Sequence, residues 1–138
     1  ADLARRALDE GWHLRFIEWM PVGSGEFIHE DWRSRVVTAA EIREQVEAAC
    51  GPLVPTAGPA GAGPAKSYRV GEHEGTIGFI PAISEHFCDH CNRLRLTADG
   101  KLRPCLLSDN EIDLREPLRM GASAEDLQAL IVEAQQFR

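Results

Sequence analysis

Three of the four cysteines in this chain of 138 residues lie in one short stretch, residues 87–107, which reads FCDHCNRLRLTADGKLRPCLL. Cys88 and Cys91 form a C-x-x-C pair, and Cys105 follows after thirteen intervening residues. Thiolates bind soft metals, and a C-x-x-C turn presents two sulfurs to one centre while a separate segment supplies the third. The arrangement therefore predicts that this stretch folds around a thiolate-bound centre.

The residues between the second and third of these cysteines predict a β-hairpin, with strands on either side of Asp99–Gly100. Successive side chains of a strand point to opposite faces, so Arg93, Arg95 and Thr97 are expected on one face. The hairpin also returns Cys105 towards the C-x-x-C pair. Arginines at this position can offset the negative charge of the centre, or they can bind phosphate through bidentate hydrogen bonds.

Three kinds of centre suit three cysteines, and the spacing alone leaves them open. A [4Fe-4S] cluster held by three thiolates keeps one iron free for a ligand atom of a substrate. Zinc needs a fourth ligand, for which His86, His90 and Cys50 are the candidates. A redox dithiol at the C-x-x-C pair is the third possibility, although the pair does not open a helix after a strand. The neighbouring arginines favour the cluster, because an open iron beside them suits a substrate with both a ligating atom and phosphates.

Charge and hydropathy argue against two classes of partner. The net charge of −7 argues against general nucleic-acid binding, which needs a basic surface. The sequence has no apolar run near the roughly 20 residues that span a bilayer, and its first residues lack a signal-peptide core. The cysteines are too few for a disulfide scaffold and are spaced like metal ligands. We therefore expect a reducing compartment, and hence a cytoplasmic location.

The order of the predicted elements indicates an α+β fold. Helices are expected at residues 2–10, after Thr38 and after Ser123; the latter two residues each begin a capping-box spacing. Outside the hairpin, strands are expected at residues 12–21, 67–70 and 76–83, and residues 35–37 are expected to form a short strand or an extended entry to the next helix. Residues 52–66 are rich in Pro, Gly and Ala and are expected to form a flexible loop.

Three segments of the chain, one of which contains the three cysteines, resemble those of a known family. The chain contains, in this order, RFIEWMPVG, GFIPAISEHFCDHCNRLRLTADGKLRPCLL and DLREPLR. They resemble the family of molybdenum cofactor biosynthesis protein A, the radical S-adenosylmethionine enzymes called GTP 3′,8-cyclases. The resemblance covers nearly the whole chain, is weakest in residues 52–66, and is most specific where C-x2-C-x13-C runs in register with N-R-x-R-L-T-x-D-G. Members convert GTP to (8S)-3′,8-cyclo-7,8-dihydroguanosine 5′-triphosphate, the first step of molybdenum cofactor (molybdopterin) biosynthesis.

The resemblance implies a division of the chain into two parts. Residues 1–21 would be the last helix–strand unit of an incomplete (β/α) TIM-type barrel that binds S-adenosylmethionine. Residues 22–138 would be a small α+β C-terminal domain that binds a second [4Fe-4S] cluster and GTP. In the parent protein, a first [4Fe-4S] cluster in the barrel cleaves S-adenosylmethionine.

The resemblance also implies roles for six residues. The three cysteines would be the ligands of the second cluster, two arginines would contact GTP, and one methionine would lie at the S-adenosylmethionine site: Cys88, Cys91, Cys105, Arg93, Arg95 and Met20. From the residues themselves, Glu18 is interpreted as one half of a structural ion pair, and Cys50 as a small buried apolar residue.

The chain departs from the family in two places. It lacks the cysteine motif of the first cluster and the glycine-ended C-terminal tail of the family. We therefore expect a piece of a longer protein that is inactive alone, and whose parent contributes the N-terminal radical S-adenosylmethionine barrel and is compatible with a homodimer. The alternative from a different functional class is a non-catalytic, zinc-stabilised interaction module.

Overall fold

The structure, a computed structural model, describes residues 1–22, 32–60, 63–85 and 87–137. Helices and strands are mixed along these ranges, so the predicted α+β class is confirmed. The α-helices are α1 (Asp2–Asp9), α2 (Trp32–Arg35), α3 (Ala39–Cys50), α4 (Arg115–Arg119) and α5 (Ala124–Gln135), with a 3₁₀ helix at Cys88–His90. The strands are β1 (His13–Ile17), β2 (Leu53–Pro55), β3 (Lys66–Val70), β4 (Thr76–Ile80), β5 (Arg95–Leu96), β6 (Lys101–Arg103) and β7 (Ile112–Asp113). Within these ranges, every helix is too short or too polar to cross a membrane.

The chain divides into two compact units, Ala1–Phe87 and Cys88–Arg138. Strand β1 therefore shares a unit with the three strands that follow it along the chain. The division predicted at residue 21 borders on residues outside the described ranges, and it stays a prediction.

The first unit contains a four-stranded sheet in the order β1-β4-β3-β2. Strand β1 pairs in parallel with β4, whereas β4 with β3 and β3 with β2 are antiparallel. The pairs that β4 forms with β1 and with β3 both end before Pro81, which follows β4 and has no N–H to donate to a ladder. The last bond of the β1–β4 ladder runs from the Glu18 N–H to the Ile80 carbonyl at 3.1 Å.

One face of this sheet packs against α1 and α3. Its centre is Phe79, which is fully buried and stacks on Phe16 with ring centroids 5.9 Å apart. The helices contribute small and branched apolar side chains, among them Ala7 from α1 and Val46 from α3, both about fully buried. Cys50 packs against this core, which agrees with its interpretation as an apolar residue.

One prediction for the first unit is wrong, and a second is narrowed. Residues 52–66 are not loop throughout, because Leu53–Pro55 pair with β3 as the edge strand of the sheet. Proline is tolerated there, since an edge strand leaves one row of N–H groups without a ladder partner. Of the two possibilities for residues 35–37, the short strand is absent: Arg35 ends α2, and Val36 and Val37 lead to α3 without regular structure.

Local signals placed the helix starts correctly. Thr38 and Glu41 form a reciprocal capping box at α3, and Ser123 and Asp126 form another at α5. In the second unit, the predicted hairpin is present as β5 and β6, and β7 adds a third antiparallel strand beside β6. Helix α5 packs against β6, where Leu102 is buried.

Candidate metal centre

The C-x-x-C pair occupies a tight turn at the start of the second unit. Cys88 begins the 3₁₀ helix, and the Cys91 N–H donates a hydrogen bond to the Cys88 carbonyl at 3.0 Å. Cys88 is exposed and Cys91 is half-buried. A turn closed in this way keeps both thiols on one short, hydrogen-bonded segment.

The third cysteine follows the hairpin. Cys105 comes two residues after β6, is half-buried, and is preceded by the buried Pro104. Its Sγ accepts a hydrogen bond from the Leu107 N–H at 3.4 Å. Backbone N–H donors to sulfur stabilise thiolates and tune the potential of iron–sulfur clusters. This contact therefore suits a thiolate ligand.

None of the four cysteines is in a disulfide. Three of them lie in the second unit, whereas Cys50 belongs to the first. Among the side chains that the structure describes, no three His, Cys, Asp or Glu are grouped closely enough to hold one metal ion. Of the histidines proposed as zinc ligands, His86 and the His90 side chain lie outside the described part of the chain. A four-iron cluster binds each thiolate through a different iron, so its ligands stand farther apart than those of a single ion.

The hairpin gives the arginines the two-faced pattern that the sequence predicted. Arg93, Arg95 and Thr97 are half-buried, whereas Leu94 and Leu96 are 36% and 67% exposed. The basic side chains thus occupy the less exposed face, although the leucines are the more apolar residues. This placement is unusual for a folded strand, and it draws attention to what the basic face binds.

The strand register relates these arginines to the opposing strand. Arg95 lies directly opposite Arg103, and Leu96 opposite Leu102. Counting two residues further along the same antiparallel register reaches Arg93 on one side and Cys105 on the other. Two guanidinium groups on opposite strands repel each other unless an anion lies near them.

Acidic side chains neutralise the basic residues of β6. Arg103 Nη2 donates hydrogen bonds to Asp109 Oδ1 at 3.1 Å and to the Ser108 carbonyl at 3.0 Å. Lys101 Nζ donates to a carboxylate oxygen of Glu111. Among the described residues, the side chain of Arg95 has no hydrogen bond or ion pair. The cations of β6 are therefore neutralised within the protein, whereas that of Arg95 is not.

In the first unit, the structure places Met20 three residues after the end of β1, half-buried, with its carbonyl accepting from the Val22 N–H at 2.8 Å. The end of a strand is where α/β proteins often keep binding residues. The predicted strand at residues 12–21 ends earlier, at Ile17, so Met20 lies beyond it, and the role assigned to Met20 stays a prediction.

Glu18 differs from its interpretation as half of an ion pair. Its side chain is 2% exposed, and its carboxylate accepts hydrogen bonds from the backbone N–H groups of Ala39 at 2.7 Å, Ile83 at 2.7 Å and Ser84 at 2.8 Å. The Ser84 hydroxyl donates a further bond. The partners are thus neutral donors from the start of α3 and from the turn after β4.

This environment changes the acidity of Glu18. Burial raises the pKa of its carboxyl group, but the bonds from the Ser84 hydroxyl and the three N–H groups lower it, and the net pKa is below the ordinary value. The carboxylate is therefore charged at neutral pH, and the part of the chain that the structure describes offers it no cationic partner. No signal in the sequence around Glu18 could have identified donors that lie so far away along the chain.

These features define a class: an α+β protein whose second unit contains three cysteines outside any disulfide and a basic strand face. A comparison with protein families matches residues 12–138 to the family described as Molybdenum Cofactor Synthesis C. Since the match covers most of the chain, the chain belongs to this family. The resemblance found from the sequence motifs is confirmed.

Curated relatives agree with this assignment. A GTP 3′,8-cyclase of Pelotomaculum thermopropionicum is 52% identical over 133 residues, which are 96% of this chain and 40% of that protein. GTP 3′,8-cyclases of Nostoc sp. and Desulforamulus reducens are each 47% identical, over 91% and 97% of this chain and 37% and 40% of theirs. The chain thus spans about two-fifths of the length of these relatives.

Proposed function

We propose that this chain is the C-terminal part of a GTP 3′,8-cyclase and acts in molybdenum cofactor biosynthesis. The family match and the names of the relatives support the role in this pathway. The observation that carries the finer proposal is that the second unit combines three cysteines outside any disulfide with a basic strand face. A zinc-stabilised interaction module would not account for the basic strand face.

Cys88, Cys91 and Cys105 would hold a [4Fe-4S] cluster. The donor set fits, because none of the three cysteines is in a disulfide and Cys105 Sγ already accepts an N–H bond of the kind that stabilises a bound sulfur. When bound, the cluster supplies an iron without a protein thiolate, which can accept a ligand atom from the substrate. The cysteines themselves act as anionic ligands and take no part in proton transfer.

Arg93 and Arg95 would bind the phosphates of GTP. Arginine offers a planar pair of donors that matches phosphate oxygens, and a half-buried guanidinium keeps much of its charge unscreened. Arg95 suits this role because the described residues offer it no acid partner, whereas Arg103 on the opposite strand is held by Asp109. The hairpin fixes the direction in which Arg95 meets the ligand.

Met20 would lie at the S-adenosylmethionine site of the parent enzyme, and α1 with β1 would form the last helix–strand unit of its barrel. Two observations support this: α1 leads directly into β1, and β1 pairs in parallel with β4. The radical chemistry itself would need the first cluster and the N-terminal barrel of the longer protein. Alone, the chain would bind GTP without converting it.

Metal analysis of the anaerobically reconstituted chain tests this function. We expect about four irons and four sulfides per chain, with broad absorption near 400 nm, and no stoichiometric zinc. One zinc per chain without sulfide would instead favour the zinc-stabilised interaction module.

A further inference from the structure

The most informative feature outside the proposed ligands is a carboxylate that is shared by two cations. One oxygen of Glu111 accepts a hydrogen bond from Lys101 Nζ, and its other oxygen lies 3.9 Å from Arg103 Nε. Lys101 also has Asp99 Oδ2 at 3.9 Å. Glu111 therefore touches both basic side chains of β6.

Glu111 is better placed for this than the other acids. Its side chain is 31% exposed, whereas that of Asp109 is fully exposed and that of Asp99 is 55% exposed. Water screens exposed ion pairs strongly, so the least exposed of these three carboxylates has the largest effect on its neighbours. The hydrogen bond and the charge of Glu111 raise the pKa of Lys101 above its ordinary value. Lys101 thus stays protonated and held.

The fold fixes Glu111 in this place. Strand β7 pairs with β6 so that Asp113 is opposite Lys101 and Ile112 opposite Leu102. The next pair in the same register is Glu111 and Arg103. On the far side of β6, Arg103 lies opposite Arg95. The order across the sheet is therefore an acid, a neutralised cation and a cation without an acid partner among the described residues.

We propose that Glu111 is a specificity-determining residue. Its charge partly neutralises Lys101 and Arg103, so a bound polyphosphate interacts less with these cations of β6 and mainly with Arg95. This inference rests on the proposed function, because it takes phosphates to bind the basic face. The new element is that the carboxylate of Glu111 lowers the affinity of the basic face for phosphate. Without that charge, Lys101 would keep only the more exposed Asp99 within 4 Å and Arg103 only the fully exposed Asp109, so both cations would attract any polyphosphate more strongly, whatever base it carries.

The consequence can be measured with inorganic triphosphate, which has the charge of the GTP tail and no base. Removing one negative charge near a partly exposed anion site changes the binding energy by about 1 kcal/mol, or about fivefold in affinity. In Glu111→Gln, triphosphate should therefore bind about three- to tenfold more tightly than in the wild type. Its affinity should also fall more steeply with salt, because more cations take part.

The experiment measures the dissociation constants of GTP and inorganic triphosphate by titration calorimetry on the full, anaerobically reconstituted chain, at low and at physiological salt. Glu133→Gln is the matched control, since it makes the same change in charge on the exposed surface of α5. We expect tighter triphosphate binding in Glu111→Gln and less than a twofold change in Glu133→Gln. Unchanged or weaker binding in Glu111→Gln, or an equal gain in the control, would overturn the proposal.

A double variant covers the case in which Glu111→Gln destabilises the hairpin. Lys101→Met with Glu111→Gln removes a neutral pair, so triphosphate affinity should stay within about twofold of the wild type, allowing for the release of Arg103. A loss as large as that in Arg95→Ala would mean that Lys101 binds phosphate directly, and the proposal would be wrong.

The same data separate this inference from the function on which it rests. If the wild type binds neither ligand, or if Arg95→Ala binds them as well as the wild type, both fail. If Arg95→Ala weakens binding but Glu111→Gln does not strengthen it, only the role of Glu111 fails.

Discussion

The carboxylate of Glu18 accepts a hydrogen bond from the backbone N–H of Ser84 at 2.8 Å, which ties the end of β1 to the turn after β4. The same carboxylate accepts from the N–H of Ala39, the first residue of α3. An acid at a helix start also interacts favourably with the helix dipole. One buried side chain thus joins three segments that are far apart in the sequence.

Glu18→Gln should lower the free energy of unfolding by about 2–3 kcal/mol. Glutamine has nearly the same shape, but it has one acceptor oxygen, and its NH₂ group would face N–H donors that cannot accept. Chemical denaturation of the chain and the variant measures the loss.

Glu44→Gln on the exposed surface of α3 is the control, and its effect should stay within about 0.5 kcal/mol. If Glu18→Gln were as harmless as this control, the hydrogen bonds of Glu18 would contribute nothing to stability.

The stability supplied by Glu18 should depend on pH. Its pKa is lower in the folded than in the unfolded chain, where it is about 4.3. The contribution is therefore fully present above the unfolded pKa and is lost as the pH falls through the folded pKa. The difference in unfolding free energy between the wild type and Glu18→Gln should be constant from pH 7 to 5 and shrink at lower pH. A difference that grows on acidification would mean that the folded pKa is raised.

Gly100 should be the least replaceable glycine of the second unit. Its φ is +85°, and a Cβ would lie 2.6 Å from the Cβ of Arg115. Gly100→Ala should cost about 2–4 kcal/mol from backbone strain and overpacking. Gly121→Ala has a similar φ of +87° but open space around it, so it should cost about 1–2 kcal/mol. Thermal unfolding checks the order, and equal losses would show that the contact with Arg115 is relieved by movement.

The sequence was sufficient where a feature depends on neighbours along the chain. The capping boxes at Thr38 and Ser123 and the hairpin around Asp99–Gly100 have local causes, and the structure contains them. The C-x-x-C pair and the alternation of arginines are local as well.

The features that could not be predicted from the sequence depend on residues that are distant along the chain. Glu18 and its donors are separated by 21 to 66 positions, and no periodicity encodes such a contact. Strand β2 was missed because Leu53–Pro55 is a strand only when β3 is beside it. The neutralisation of Arg103 was missed because it depends on how the loop after Cys105 returns Asp109 to the sheet.

Arg95→Ala should weaken GTP binding by about ten- to a hundredfold, because a charge-assisted hydrogen bond contributes roughly 1.5–3 kcal/mol. We expect a loss of the same order for Arg93→Ala. The cluster content should not change in either variant, and guanosine, which lacks phosphates, should lose less affinity than GTP. Arg95→Lys should restore binding only in part, because a point charge cannot make bidentate contacts.

Arg119→Ala, at the exposed end of α4, is the control and should bind GTP like the wild type. Equal losses for GTP and guanosine, or loss of the cluster, would mean that Arg93 and Arg95 serve the fold or offset the charge of the cluster.

The central claim is that three cysteines, and no fourth, hold an iron–sulfur cluster. Its most direct test is the iron content of single Cys→Ser variants after identical anaerobic reconstitution. Cys88→Ser, Cys91→Ser and Cys105→Ser should each lose the stable cluster, whereas Cys50→Ser, whose side chain packs against the core of the first unit, should retain about four irons per chain. Loss of iron in Cys50→Ser, or full retention in Cys105→Ser, would contradict the claim.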